Sequence, residues 1–207
     1  MDIAVVILNW NGKKMMQEYL PSVVRSTAAF GGGDSGDSAF VAVADNGSTD
    51  GSLEWLTSEY PDIETIELDR NYGFTGGYNR ALQEIEADHY VLLNSDIDTP
   101  DGWLDPMFEF LEENPEAGIC QPKILSIAEP DKFEYAGACG GYIDRFGYPF
   151  CRGRVLSRGE TDKGQYNSPA NVLWASGACL MTRSRLWREL GGLDDRFFAH
   201  MGEIDFC

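Results

Sequence analysis

The sequence predicts an α/β fold built on a doubly wound, mainly parallel sheet. Three observations carry this. Short apolar runs alternate with stretches of helical spacing through the first half of the chain. The runs are apolar without a break, as strands covered on both faces must be, and Tyr90-Val91-Leu92-Leu93 is the clearest. Each run stops in polar turn residues, and right-handed crossovers would gather those strand ends on one rim.

The elements follow in order. Ile3 to Leu8 reads as the first strand, stopped by Asn9-Trp10-Asn11-Gly12. Met16, Tyr19, Leu20, Val23 and Val24 fall at helical spacing within Lys13 to Thr27, and Pro21 is expected to kink this helix or start a second one. Gly31-Gly32-Gly33-Asp34-Ser35-Gly36-Asp37-Ser38 reads as a flexible surface loop without a function. Phe40 to Ala44 is the second strand. Past its polar end, Thr49 or Asp50 can cap a helix over Leu53 to Glu59. A third strand over Ile63 to Leu68 leads through Asp69–Gly77 to a helix from Tyr78 to Glu86, then to the Tyr90 strand and a helix over Asp101 to Glu113.

From Ala117 the periodicity weakens. Ile119 to Pro122 and Val172 to Met181 read as strands, and Ser184 to Leu190 as a short helix. Gly137 to Gly159 reads as loop and short β structure covering part of the sheet. There is no internal repeat and no clear linker, so 1–207 is expected to be one domain.

The bulk properties exclude several classes. At 207 residues and 43% apolar content the chain can bury a substantial core. A net charge of −18 argues against a nucleic-acid partner and against a polybasic grip on anionic lipid. An acidic protein that handles phosphates needs a cation to mediate. Cys120, Cys139, Cys151, Cys179 and Cys207 form no Cys-x-x-Cys pair, so neither a zinc site nor a disulfide framework is indicated. His89 and His200 are too few for a histidine cage. The opening Met-Asp-Ile-Ala-Val-Val reads as a strand and not a signal peptide, and no apolar run reaches the length of a membrane span. The expected location is the cytoplasm, or the inner face of the cell membrane as a peripheral protein.

The most informative motif ends the Tyr90 strand: Asn94-Ser95-Asp96-Ile97-Asp98-Thr99-Pro100. In open α/β sheets ligands sit beyond the carboxyl ends of strands. Carboxylates one residue apart there suit a hard divalent cation with open positions for phosphate oxygens. An ordinary polar turn would use the same residue types. Asp45 stands at another strand end, where its carboxylate can accept the imide N–H of a pyrimidine base or cap the Asn46-Gly47 turn. Gly73, Gly76 and Gly77 open a helix. Missing side chains there would let a diphosphate approach free N–H groups, or simply allow a tight turn. Asn71 and Asn79 can hold this loop or touch a ligand.

Taken together, Val6–Gly12, Val43–Ser52, Asn71–Asn79 and Leu92–Asp98 resemble glycosyltransferase family 2, the inverting enzymes of GT-A fold, and most closely the rhamnosyltransferase-like subgroup. Trp174-Ala175-Ser176-Gly177-Ala178-Cys179 resembles the stretch that faces the donor sugar, and Gly192–Phe198 leads on to Glu203–Cys207. The resemblance covers nearly the whole chain in order. It implies a Rossmann-like GT-A domain with a nucleotide-binding half over 1–100 and an irregular acceptor-side half over 101–207. It implies a donor such as dTDP-rhamnose or a UDP-sugar, Mg²⁺ or Mn²⁺ as cofactor, and a glycan or lipid-linked acceptor, as in cell-wall polysaccharide synthesis. Asp98 would be the direct metal ligand. Asp96 would bind the ribose and reach the metal through water. Asn9, Asn11, Asp45, Asn71, Gly76, Gly77, Asn79, Trp174 and Gly177 would line the donor site.

The general base implied by the family is an acidic pair before the final Asp-Leu/Phe-Cys. Here that pair reads Gly202-Glu203, so Glu203 takes the base role with one methylene more than the usual Asp. His200 would line the sugar site or serve structure. The motif breaks off at Cys207, so the chain is expected to be truncated and Glu203–Cys207 loosely placed without ligand. A nucleotidyltransferase would also use strand-end aspartates, but it needs a basic Gly-rich loop where this chain has Asn9-Trp10-Asn11-Gly12-Lys13-Lys14. A nucleotide-sugar-binding module with little turnover is the other alternative.

Overall fold

The computed structural model describes residues 1–31, 36–135, 137–156 and 158–207; residues 32–35 of the expected surface loop lie outside the described set. The first half runs β1 (Asp2–Asn9), α1 (Lys13–Ala28), β2 (Ser38–Asp45), α2 (Ser52–Glu59), β3 (Glu64–Glu67), α3 (Gly73–Glu84), β4 (His89–Leu93) and α4 (Asp105–Glu113). The second half runs β5 (Ile119–Cys120), β6 (Gly141–Ile143), β7 (Pro149–Cys151), β8 (Arg154–Val155), β9 (Arg158–Gly159), β10 (Cys179–Arg183), α5 (Ser184–Leu190), a 3₁₀ turn at Asp195–Phe197 and α6 (Gly202–Phe206).

The main sheet has the order β3-β2-β1-β4-β10-β5. β3, β2, β1 and β4 are parallel, while β10 runs antiparallel to both β4 and β5. The register sets Ile7 opposite both Val43 and Leu93, and Asn9 opposite Asp45. The polar ends of β1, β2 and β4 therefore come level on one rim, as the crossover rule requires.

Strand alternation sorts the core into two layers. Ile3, Val5, Ile7, Val43, Val91 and Leu93 face Met16, Leu20 and Val23 of α1, Leu56 of α2 and Leu111 of α4. Ala4, Val6, Ala42, Tyr90 and Leu92 face Tyr78 and Leu82 of α3, Trp187 of α5 and Phe206 of α6. The second face carries alanines on β1 and β2, so α3 lies close to the sheet. A Cβ on Gly77 would stand 2.7 Å from Leu8 Cδ2, so glycine is required there by packing alone.

Several boundaries differ from the sequence expectation for physical reasons. α1 runs unbroken through Pro21, which sits with Gln17 on the exposed side, where water can take the carbonyl that proline leaves unbonded. α3 starts at Gly73 rather than Tyr78, because Asn71 and Phe198 cap its first turn. α4 starts at Asp105, since Gly102 holds φ +74 and Pro106 sits in the first turn. β10 is shorter than Val172 to Met181: Ser176 Oγ accepts from Ala178 N in a turn, and pairing begins only at Cys179. β6 pairs with β7 and β8 with β9 as small hairpins. The first joins the rest through Trp174, which bridges to Gly141, and the second through Phe133, whose N–H donates to Glu160 O.

Loose placement of Glu203–Cys207 is not what the structure shows. Gly202–Phe206 form α6, and Phe206 is 9% exposed with its ring 4.9 Å from that of Trp187. Cys207 Sγ accepts a hydrogen bond from Ala175 N. One buried aromatic is enough to tie down a short terminal turn.

Candidate functional site

The rim is built from loops bonded to one another. Asn9 Nδ2 donates to Asp45 Oδ1 at 2.8 Å and to Ser48 Oγ at 3.1 Å. Asp45 Oδ2 accepts from Ser48 N at 2.9 Å, and the residue is 2% exposed. The turn-capping role considered for Asp45 is therefore present, and both carboxylate oxygens already hold a donor. Asn11, at φ +51, accepts from Thr49 N through its side chain and donates from its own N–H to Ser48 Oγ. Asn9 and Asn11 thus weld the first strand-end loop to the second. Asn9 Oδ1 is buried with no partner and lies against Gly12, where a Cβ would stand 2.5 Å from it.

Asn46 joins the second loop to the third. Its amide donates to Asn71 Oδ1 and to Gly73 O, and its oxygen accepts from Tyr72 N. Gly47 beside it has φ +72, and a Cβ there would lie 2.5 Å from the Arg70 backbone. The sequence reading missed Asn46 as a hub because its partners lie well down the chain. Asn71 Oδ1 also accepts from Gly73 N at 2.7 Å, so it caps α3. Asn79 is spent on structure: its amide donates to Leu193 O and Asp195 Oδ1, and its oxygen accepts from Leu193 N.

The diphosphate-loop reading meets an occupied helix end. Phe74 N and Thr75 N both donate to the carbonyl of Phe198, at 2.5 and 3.2 Å. Gly76 lies beside Arg80 and Tyr72, and Gly77 against Leu8, so close packing accounts for both glycines. Gly177 packs on the Phe74 ring, where a Cβ would stand 2.8 Å from Cζ.

Asp96 and Asp98 are both exposed, on the turn that leaves β4. Among the described residues neither accepts a hydrogen bond nor pairs with a cation. The Tyr19 hydroxyl of α1 has its pKa raised by the hydrogen bond it donates to Glu18, by burial, and by the charges of Glu18, Asp96 and Asp98. The described residues contain no group of three or more His, Cys, Asp or Glu side chains placed to hold a metal ion by themselves. The donor set is nonetheless what Mg²⁺ or Mn²⁺ accepts: hard carboxylate oxygens, with most positions left to water and ligand oxygens. Asp98 and Asp96 would hold such an ion.

The two aspartates line a cleft of about 1380 Å³ together with Trp103, Phe110, Leu125, Leu173 and Phe206. Trp174 reaches this cleft but is 4% exposed, with its ring against Gly141 and its N–H donating to Tyr142 O at 3.2 Å. Gln121, not singled out by sequence, ties Ser176 N to the cleft wall at 2.6 Å. Glu203 is half-buried on α6 and is not among the cleft-lining residues; neighbouring Gly202 packs on Thr75. His200 is exposed. The cysteines are free thiols; burial pushes Cys120 up to about 12 and Cys179 higher still, which leaves both inert as nucleophiles.

Comparison with known proteins now decides the family. Residues 4–191 match the family described as Glycosyl transferase family 2. The chain belongs to that family. It is 27% identical over 183 residues to an N-acetylglucosaminyl-diphospho-decaprenol L-rhamnosyltransferase of Mycobacterium tuberculosis, covering 80% of this chain and 58% of the relative. It is 22% identical over 211 residues to the low-salt glycan biosynthesis hexosyltransferase Agl10 of Haloferax volcanii, covering 100% of this chain and 60% of the relative. The chain thus spans somewhat over half the length of these relatives. Among solved structures, S. aureus TarS 1-349 superposes with a TM-score of 0.64 at 16% identity, over 98% of this chain and 53% of that one. Mannosyltransferase PcManGT from Pyrobaculum calidifontis, in complex with GDP-Man and Mn²⁺, superposes with a TM-score of 0.62 at 14% identity, over 99% and 49%. The fold of this family 2 chain is therefore GT-A. No helix among its described residues is long and apolar enough to cross a membrane.

Proposed function

We propose that residues 1–207 form the catalytic domain of a metal-dependent inverting glycosyltransferase. The domain moves a sugar from a nucleoside diphosphate donor, dTDP-rhamnose or a UDP-sugar, to a hydroxyl of a glycan or lipid-linked acceptor. The observation that carries this reading is the Asp96–Asp98 pair: exposed, unpaired among the described residues, and at the C-terminal end of a parallel strand in a family 2 chain. The named relative acts on a diphospho-decaprenol-linked sugar, and the largely apolar lining of the cleft that the aspartates share suits a lipid-linked acceptor.

The roles divide as follows. Asp98 and Asp96 hold the cation and orient the donor, with Asp96 reaching the ribose. A bound Mg²⁺ or Mn²⁺ supplies charge neutralisation on the leaving diphosphate. Asn9, Asn11 and Asp45 form the base-side wall, while Asn71, Gly76, Gly77 and Asn79 shape the α3 loop. Trp174 and Gly177 form the wall on the sugar side. The acceptor oxygen attacks the anomeric carbon from the face opposite the diphosphate. As the sugar–phosphate oxygen bond breaks, Glu203 takes the hydroxyl proton. The test is Glu203→Gln assayed for both nucleotide binding and sugar transfer. Retained binding with transfer lost supports the assignment; unchanged transfer sinks it.

A further inference from the structure

The segment from Asp195 to Met201 is exposed throughout, yet it is pinned at both ends. On one side Asn79 and Arg80 hold Asp195. On the other, Gly202 and Phe206 of α6 are buried. Between these anchors the backbone takes conformations that L-residues avoid. Phe198 has φ +57 and ψ −63, and Ala199 N donates to Phe197 O at 2.6 Å, which closes a positive-φ γ-turn. Met201 has φ +69. Such conformations are strained and persist only where something holds them.

What holds this turn is the first turn of α3. The Phe198 carbonyl takes the N–H groups of Phe74 and Thr75, and its ring lies over Gly73, where a Cβ would be 2.5 Å from Cδ2. Those N–H groups have no acceptor within the helix. Beneath the same segment the Thr75 hydroxyl is fully buried with no partner, a donor and acceptor left unused at this helix end.

We infer that residues 195–201 are a strap that closes the N-terminus of α3 with the Phe198 carbonyl, and that an incoming diphosphate must displace it. The inference rests on the nucleoside diphosphate reading above. One carbonyl and one phosphate oxygen compete for the same Phe74 and Thr75 amides. The closed strap therefore weakens apparent affinity by the fraction of molecules it closes. Relief of the Phe198 backbone strain favours opening once an anion has replaced the cap.

Phe198→Pro and Phe198→Gly test this with pyrophosphate and Mg²⁺ as the probe. Proline cannot adopt a positive φ, and no hydrogen bond of the Phe198 N–H is lost, so this variant removes the closed turn. Glycine accepts the turn and keeps it. In the free wild-type protein the inference expects slow exchange at the Phe74 and Thr75 amides, which the Phe198 carbonyl holds. The inference expects fast exchange at these amides in Phe198→Pro, with pyrophosphate bound several-fold more tightly. Phe198→Gly keeps slow exchange and gains no affinity. Slow exchange in Phe198→Pro, or fast exchange with no gain in affinity, overturns the strap. Pyrophosphate binding to neither protein also overturns it, and sugar transfer by the wild type would then show that the glycosyltransferase reading stands alone.

Discussion

The Asn9 amide lies 2.8 Å from Asp45 Oδ1, across the last paired positions of two parallel strands. This one bond joins two loops of the rim, and both residues are buried, Asn9 at 0% exposure and Asp45 at 2%. Asn9→Ala removes a donor from a buried carboxylate. The expected cost is about 1–3 kcal/mol, the usual penalty for orphaning a buried polar group, read as a lower urea midpoint with an unchanged slope. A wild-type midpoint would mean that Asp45 does not depend on Asn9.

Gly77→Ala examines the close approach of α3 to the sheet. The new Cβ would meet both Leu8 methyls, at 2.7 and 2.8 Å, and Asn46 Nδ2 at 3.0 Å. Overpacking of this kind costs about 1–3 kcal/mol, which outweighs the small helix-propensity gain of alanine. Thermal unfolding measures it; a stabilised variant would show that the helix can shift outward freely.

His89 makes stability depend on pH. It is 2% exposed, its ring is edge-on to Phe108 at 5.5 Å, and neither ring nitrogen has a hydrogen bond. Burial holds its pKa below the ordinary histidine value. Glu112, with Oε1 3.2 Å from Nε2, pulls the other way but does not win. The folded state therefore favours the neutral ring. Its contribution is whole above the unfolded pKa of about 6.5 and is lost as pH falls through the lower folded value. Urea unfolding between about pH 7.5 and about pH 5 should show a steeper loss for wild type than for His89→Phe. Equal slopes would mean that another group carries the dependence.

Much of this was legible in the chain itself. β1 and β4 are unbroken apolar runs buried on both faces, so local pattern alone located them. The rim followed from strand alternation and handedness. What stayed hidden depends on distant partners. α3 begins early because Phe198 caps it from far along the chain. The tail is held because Phe206 meets Trp187. Asn46 reads locally as half of an Asn-Gly turn, and only the folded chain puts Asn71 and Tyr72 around it.

Phe206→Ala links the tail to the reaction. The ring is buried against Trp187, and its loss should release α6 rather than unfold the sheet, because α6 is short and terminal. Sugar transfer should fall sharply, since Glu203 rides on that turn, while nucleotide binding at Asp96 and Asp98 should be kept. Loss of both together would place Phe206 in the core proper.

The central claim is that Asp98, with Asp96, holds a cation that binds a nucleoside diphosphate at this rim. The direct measurement is the thermal shift of wild type and Asp98→Asn with UDP, dTDP, GDP and CDP, each with and without Mn²⁺, since a ligand that binds only the native state raises its melting temperature. The account predicts that at least one of the four stabilises the wild type only when Mn²⁺ is present, and that Asp98→Asn loses this shift. No shift with any of them, or an equal shift without metal and in Asp98→Asn, would contradict it.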